Sequence, residues 1–189
     1  DESELEILRG IIGISGSDRV ALFCGSLYEE KRIDVMIESA LIIKEKIKDF
    51  QLIVIGDGPL KPNLEVLAKD HPWIHVVGIQ NGVEKAKYFK LASIMFNPGL
   101  VGLHIVDAFC SSLVMVTLKG SAHSPEISYL ENRKNGLIVD GGSAEYAAAI
   151  IELYNTSSTL ASMQLNSKKS SAIYTLENMV ENFAQGIKR

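Results

Sequence analysis

Two polar side chains interrupt an apolar stretch that opens with a proline and two glycines. The stretch NPGLVGLHIVDAF, residues 97–109, carries His104 and Asp107 inside a helical pattern of apolar residues. A carboxylate buried without a partner is strongly destabilising. Asp107 therefore needs a partner, and the residues leave two open: a polar ligand that reaches the helix from the glycine end, or His104 one turn earlier.

A second polar group follows the first apolar run of the chain. The segment GSLYEEKR, residues 25–32, places Lys31 shortly after Gly25 and Ser26, close to a predicted helix start. Phosphate oxygens bind at such points because an ammonium group and the free N–H groups of a helix start both attract negative charge. The alternative is that Lys31 and Arg32 are solvent-facing members of a charged run, and both interpretations stay open.

Several other kinds of site are excluded by their missing patterns. The first predicted strand ends in CGSLYEEKR and not in G-x-G-x-x-G, which argues against NAD(P) or FAD, and no Walker A sequence occurs. A G-x-S-x-G elbow is also absent. We expect no metal site, because the four histidines show no ligand spacing with the cysteines or acids.

Composition is that of an ordinary globular domain. The chain has 189 residues, 47% of them hydrophobic and 22% charged, which suits one domain with a proper core. A net charge of −4 gives no basic footprint for nucleic acid. Cys24 and Cys110 have no CxxC spacing, so reduced thiols are expected. No apolar run approaches the ~18 residues of a membrane span.

Apolar runs alternate with helical patterns along most of the chain. Strands are predicted at residues 19–25, 50–56, 73–78, 93–97, 113–118 and 136–140. Helices are predicted over the first dozen residues, at 33–47, 60–70 and 83–92, within 97–109, and from 143 to the end. This alternation predicts an α/β fold, a Rossmann-like parallel sheet of about six strands with helices on both faces.

Glycine and small polar residues are concentrated in the loops that follow the strands. These loops read GSLYEEKR, GDGP, GIQNG, NPGLVG, KGSAHSPE and DGGSAE, whereas the loops of the opposite edge are plain turns. Ligands of open α/β sheets bind outside the carboxyl ends of the strands. Glycine lets backbone N–H groups approach a phosphate there, so the sequence predicts a phosphorylated or nucleotide ligand at this edge.

Taken in order, five segments resemble the donor-binding half of GT-B glycosyltransferases, specifically the retaining enzymes of family 4, also called group 1. They are FCGSLYEEKR, IGDGPL, IHVVG, GLVGLHIVDA and SPEISYLENRKNGLIV. The resemblance extends from about residue 20 to about residue 151, each segment at an expected strand end.

The resemblance implies a diphosphate site around the first and fourth loops. Lys31 matches the diphosphate-binding lysine of the family, next to Gly25 and Ser26, and Ser26 stands where the family has an arginine. Arg32 stands where the family has a glycine, and it is a candidate for replacing the lost charge. The remaining diphosphate positions of the family fall on Leu100, Val101, Gly102 and Leu103, through their backbone N–H groups.

The resemblance also implies contacts to the rest of a nucleotide sugar. Asp107 matches a glutamate that binds the ribose hydroxyls, and the backbone of Gly78 and Ile79 matches the base-binding position. The first glutamate of the family, a sugar contact, falls on Gly99, so this carboxylate is missing. His123 is a further candidate for a sugar contact.

As a whole, the resemblance implies a transferase that uses a UDP or GDP sugar without a metal or other cofactor. Residues 1–18 would be a linker helix from an N-terminal acceptor domain, residues 19–189 the donor-binding domain, and the helix from Met179 a return to the other domain. A cytoplasmic enzyme is expected, at the inner face of a membrane if the acceptor domain binds there. Two alternatives stay open: a non-catalytic domain that binds a nucleotide sugar or a partner, and another GT-B enzyme such as an epimerase.

Overall fold

Parallel strands form one six-stranded sheet in the computed structural model, which describes residues 2–120, 122–175, 177, 178, 180, 181 and 184. The strands are β1 (Arg19–Cys24), β2 (Phe50–Ile55), β3 (Ile74–Gly78), β4 (Ile94–Phe96), β5 (Val114–Leu118) and β6 (Gly136–Val139). The helices are α1 (Glu2–Ile12), α2 (Ile33–Lys46), α3 (Lys61–Asp70), α4 (Gly82–Leu91), α5 (His104–Cys110), α6 (Ser143–Asn155) and α7 (Ser157–Ser171). The predicted α/β class is confirmed.

The strands form where the sequence shows unbroken apolar runs. All five residues of β5, VMVTL, are buried, and the central strands β1 and β2 pair in register from Arg19 opposite Phe50 to Cys24 opposite Ile55. A strand with helices on both faces must be apolar on both faces, so it shows no polar alternation. Each predicted strand is present, with ends that differ by at most two residues.

Helices cover both faces of the sheet and bury a separate cluster on each side. On one face, α2, α3 and α6 pack on residues such as Phe23 and Leu52. On the other, α1, α4 and α5 pack on residues such as Leu22 and Ile53. Helix α1, the predicted linker, buries Leu5 in this second cluster and packs against α4.

Two predicted helices differ from those observed. The helix in the stretch 97–109 begins only at His104, because the preceding glycines form a loop. The long helix predicted after residue 143 is divided at Thr156, whose backbone is not helical at φ −118° and ψ 73°. Thr156 lies in a run of small polar residues, which favour helix ends over helix interiors. Most residues of the helix predicted from Met179 onward lie outside the described residues.

The strand order β3-β2-β1-β4-β5-β6 reverses its direction between β1 and β4. Successive strands are added away from β1 in one direction and away from β4 in the other. The loops that leave the carboxyl ends of β1 and β4 therefore flank a crevice, which is where open α/β sheets bind ligands.

Arg32 joins a short 3-10 helix, Glu29–Lys31, to α2 in a backbone conformation that is unusual for a side chain. Its φ and ψ are both 51°, in the left-handed region, and its guanidinium pairs with Asp34 at 3.2 Å. Non-glycine residues are strained there by about 1–2 kcal/mol. The exposed ion pair offsets little of this cost.

Replacing Arg32 with glycine should therefore raise the free energy of unfolding, by roughly 1 kcal/mol. Chemical denaturation of wild type and Arg32→Gly measures this. Glu38→Gly, at an exposed position in the middle of α2, is the control and should instead lose at least about 1 kcal/mol. A loss of stability in both variants would show that Arg32 is not strained.

Candidate functional site

The loops after β1 and β4 are joined by direct backbone contacts at the carboxyl edge. The amide of Leu100 donates a hydrogen bond to the carbonyl of Glu30 at 3.0 Å. Lys31 Nζ donates to the carbonyl of Leu100 at 2.7 Å, and the Lys31 side chain passes beside Gly25. The structure thus brings together Lys31, the Gly25 loop and the 99–103 loop, which the sequence placed at separate strand ends.

Lys31 is a buried cation. It is 5% exposed, so the alternative interpretation of Lys31 as a solvent-facing member of a charged run is wrong. Burial lowers the pKa of Lys31, and the nearby Cys24 thiol partly offsets that effect. An ammonium group has three N–H donors, and in the described part of the chain the Leu100 carbonyl accepts from it. A buried charge with few acceptors gains most from an anion placed beside it.

Buried side chains fix the carbonyl groups of the loop after β4. Asn97 Nδ2 donates to the carbonyls of Gly99 and Leu100 at 3.1 and 3.3 Å. Thr117 Oγ1, from β5, donates to the Gly99 carbonyl at 3.3 Å. Because these carbonyls are bonded inward, the loop presents a defined backbone surface to the crevice.

His104 supports the same loop from the first turn of α5. Its Nε2 lies 3.1 Å from Asn97 Oδ1. Asn97 Oδ1 can only accept, so Nε2 carries a proton and donates it to this bond. Burial lowers the pKa of His104 to about 3, with smaller contributions from the charges of Lys31 and Lys85.

His123 lies between two strand ends and uses both ring nitrogens. Nδ1 accepts from the amide of Val101 at 3.2 Å, and Nε2 donates to the carbonyl of Leu118 at 2.9 Å. A sugar contact by His123, as the family resemblance implies, would have to replace one of these bonds. In this structure His123 connects β5 to the loop after β4.

Two of the four predicted diphosphate-binding amides are already bonded within the protein. Leu100 donates to Glu30, and Val101 donates to His123. The loop packs against its neighbours through these two amides, so a diphosphate contact by either amide would have to replace an internal hydrogen bond. Gly102 and Leu103 lie at the start of α5, where Ile105 and Val106 return hydrogen bonds to their carbonyls, and Leu103 is 60% exposed.

Gly99 lies in close contact with the backbone of the turn at residues 29–31. A Cβ atom built on it would overlap the carbonyl oxygen of Glu30 and the carbonyl carbon of Lys31, and it would lie 2.6 Å from Lys31 Cα. No side chain fits this position unless the turn at residues 29–31 moves. The structure thus gives a steric reason why the carboxylate of the family is missing here.

Asp107 has a partner that the sequence analysis did not consider. Lys85 Nζ, from the first turns of α4, donates to Asp107 Oδ2 at 2.7 Å. His104, the partner weighed from the sequence, bonds Asn97 instead. The Asp107 side chain is 46% exposed, so the expectation of a buried carboxylate is wrong. Lys85 gave no sequence signal beyond its position near the start of a helix at the functional edge.

Two cavities of about 280 Å³ each open at this edge, and Lys85 lines both. One contains Asp107 and Gly82. The other contains Gly25, Ser26 and Ile79, three of the predicted site residues. Ile79 is 63% exposed, and the carbonyl of Gly78 accepts from the amide of Gly56 at 2.9 Å, which ties the end of β3 to the loop after β2.

Arg32 lies outside these two cavities. It lines a larger cavity of about 650 Å³ between α2 and α3, whose other walls include Ile33, Leu60 and Leu64. This cavity is the largest of those found, but it contains none of the other predicted site residues. The expectation that Arg32 replaces the arginine lost at Ser26 is corrected, because Arg32 pairs with Asp34 beside that other cavity.

The described residues carry neither a metal-binding cluster nor a membrane-spanning helix. They contain no group of three or more His, Cys, Asp or Glu side chains arranged to hold a metal ion. None of their helices is long and apolar enough to cross a bilayer. Cys24 and Cys110 are free thiols.

Comparison with known proteins identifies the family. Residues 18–156, most of the chain and all six strands, match the family model described as glycosyl transferases group 1. The chain belongs to the group 1 glycosyltransferases. Both edges of the crevice described above, with Lys31 and Asp107, lie inside the matched segment.

The individual relatives are distant in sequence, and the solved structures among them share the fold of this chain. Alpha-monoglucosyldiacylglycerol synthase of Acholeplasma laidlawii is 24% identical over 180 residues, which are 92% of this chain and 44% of the synthase. The structure of Anabaena HepE with UDP and glucose superposes with a TM-score of 0.81 at 15% identity, over all of this chain and 53% of HepE. The chain therefore spans about half the length of these relatives.

A third relative matches over nearly its whole length. The C-terminal domain of LpcC, a group 1 family protein from Francisella tularensis, has a TM-score of 0.71 at 20% identity. The match covers 87% of this chain and 89% of that domain. These structural likenesses establish the fold, a Rossmann-like half of the GT-B type.

Gly99→Ala should destabilise the protein by roughly 2–3 kcal/mol, because overpacking against backbone atoms cannot be relieved by a side-chain rotation. Gly102→Ala is the matched control, since a Cβ atom there meets nothing closer than 3.8 Å. Urea denaturation of both variants tests the contrast. Equal stabilities would mean that the contact between residue 99 and the 29–31 turn is not tight in solution.

His104 should make stability depend on pH. Its folded pKa of about 3 lies below its unfolded value, so its contribution is complete above pH ~6.5 and is lost as the pH falls toward 3. Between pH 7.0 and 5.5 the wild type should lose about 1 kcal/mol more than His104→Gln, which cannot titrate. The same loss in both proteins, measured by urea denaturation, would contradict a neutral buried imidazole.

Proposed function

We propose that this chain is the donor-binding half of a glycosyltransferase that binds a nucleoside-diphosphate sugar in the crevice between the loops after β1 and β4. The observation that carries the proposal is the contact of Lys31 Nζ with the Leu100 carbonyl, 2.7 Å. It places a buried cation beside the glycine loop at the carboxyl edge of a parallel sheet. A diphosphate bound there would contact the positive charge of Lys31 and the N-terminal end of α5 at the same time.

UDP is the donor type that the relatives favour. The HepE structure, which is similar to this chain in fold, contains UDP and glucose. The base would lie near Gly78 and Ile79, with the ribose near Asp107. In this proposal catalysis needs no metal, because Lys31 and the helix start stabilise the leaving diphosphate.

The acceptor and the second domain are further parts of the proposal. The synthase from Acholeplasma laidlawii bears a name that denotes a glycolipid product, which supports a lipid or polysaccharide acceptor. The likeness to the C-terminal domain of LpcC supports the division into an N-terminal acceptor domain and this donor domain. We propose a hexosyl transfer with retention, by the longer protein and not by this chain alone, at the cytoplasmic face of a membrane.

Binding without transfer is the second candidate function. Gly99 cannot carry the sugar-contacting carboxylate, which favours a domain that holds the nucleotide but grips the sugar weakly. The two candidates differ in one measurement. A longer protein containing this chain, given UDP-glucose and a diacylglycerol acceptor, either forms a glycolipid or only binds the donor. A new free sugar nucleotide would instead indicate an epimerase.

Lys31→Met should weaken UDP binding at least tenfold, about 1.4 kcal/mol, because it removes the buried cation and keeps the apolar part of the side chain. Isothermal titration calorimetry with UDP and GDP on this chain gives the affinities. Lys46→Met, an exposed residue at the far end of α2, is the control for loss of charge and should bind as wild type. Circular dichroism confirms that each variant is folded.

Unchanged UDP affinity in Lys31→Met would remove Lys31 from the site. Absence of any binding of UDP, GDP or their sugars to wild type would contradict the proposed function itself. A thermal shift gives an independent check, since a ligand at 100 times its dissociation constant stabilises the fold by about 2.7 kcal/mol.

A further inference from the structure

The proposed diphosphate site has one cation where two are expected from the family resemblance, and Arg32 does not fill the gap. Ser26 is exposed and uncharged at the position of the missing arginine. Arg32 lines the cavity between α2 and α3. Lys85, by contrast, lines the same cavity as Gly25 and Ser26.

We propose that Lys85 is the second cation of the donor site, which contacts the phosphates of the bound nucleotide and uses Asp107 as its counter-ion when the site is free. This inference rests on the proposed function, because it names a further ligand-binding residue of the same site. It does not depend on the identity of the base, the sugar or the acceptor.

The placement of Lys85 carries the proposal. It lies in the N-terminal half of α4, at the carboxyl edge of the sheet, and its side chain reaches both small cavities. Nζ lies 2.7 Å from Asp107 Oδ2, so the ammonium is held at the wall between the two cavities.

The charges of Lys85 and Lys31 act on the same two side chains, Cys24 and His104. Burial raises the pKa of the Cys24 thiol at the end of β1, while the charges of Lys85 and Lys31 both oppose that rise. The same two charges help to lower the pKa of His104. Two ammonium groups, one from the turn after β1 and one from α4, therefore act on one region of the crevice, an arrangement suited to a ligand with two phosphates.

The Lys85–Asp107 ion pair is exposed enough to exchange partners. The two side chains are 29% and 46% exposed, and ion pairs in such positions contribute little to stability. Burial opposes the charge of Lys85, but the hydrogen bond and charge of Asp107 outweigh it and raise the pKa of Lys85. A diphosphate offers more negative charge than one carboxylate, so it can take over the ammonium and release Asp107 to the ribose.

The test compares three ligands that share the nucleoside and differ in phosphate: UDP, UMP and uridine. Lys85→Met should weaken UDP at least tenfold, UMP less, and uridine less than twofold, and the salt dependence of UDP binding should decrease. Lys87→Met is the matched control on the same helix. Lys87 pairs with Glu84, outside both cavities, so its variant should match wild type for all three ligands.

Two results would overturn the inference. An equal loss for UDP, UMP and uridine in Lys85→Met would mean that Lys85 acts only by holding Asp107. Wild-type affinities in Lys85→Met would remove Lys85 from the site while leaving the proposed function intact. If wild type binds none of the UDP and GDP ligands, the proposed function fails and this inference fails with it.

Lys85→Arg provides a second test of the phosphate contact if Lys85→Met is poorly folded. Arginine retains the positive charge, so UDP affinity within about threefold of wild type is expected. An arginine variant that binds UDP as weakly as Lys85→Gln, measured under the same conditions, would contradict a phosphate contact.

Discussion

The close contact between the loops after β1 and β4 is the constraint on which the carboxyl edge depends. Gly99 lies directly against the peptide between Glu30 and Lys31, and the Lys31 ammonium bonds the next carbonyl of the same loop. Parallel pairing of β1 with β4 brings the loops together, and only a residue without a side chain lets them approach this closely. The position of the cation, the shape of the loop and the lost carboxylate all follow from this one approach.

Charge in the crevice is controlled by burial as much as by residue type. Lys31 and Lys85 lie near the ring of His104, and a second buried positive charge between them would be costly. The imidazole stays neutral and serves as a hydrogen-bond donor to Asn97, while Lys85 is balanced by Asp107. The protein thus places positive charge on Lys31 and Lys85 and keeps His104, which supports the loop after β4, uncharged.

Sequence patterns were sufficient for the sheet and for the edge that carries the site, but not for the pairing of side chains. Strand β5 could be predicted because burial on both faces demands an unbroken apolar run. The partner of Asp107 could not be predicted, since Lys85 is 22 residues away and meets Asp107 only where α4 and α5 line the same cavity. The side chain of Arg32 points toward the cavity between α2 and α3 because its backbone is left-handed, a conformation that the neighbouring residues do not predict. The hydrogen bonds of the Leu100 and Val101 amides could not be predicted either, because they depend on how two loops from different strands lie against each other.

The packing of Gly99 also constrains any attempt to redesign this edge. An acid at position 99 needs a different path for the turn at residues 29–31, because the present path leaves no room for a Cβ atom. Substitutions at residue 99 and in the turn are therefore coupled, and their effects on stability should not be additive.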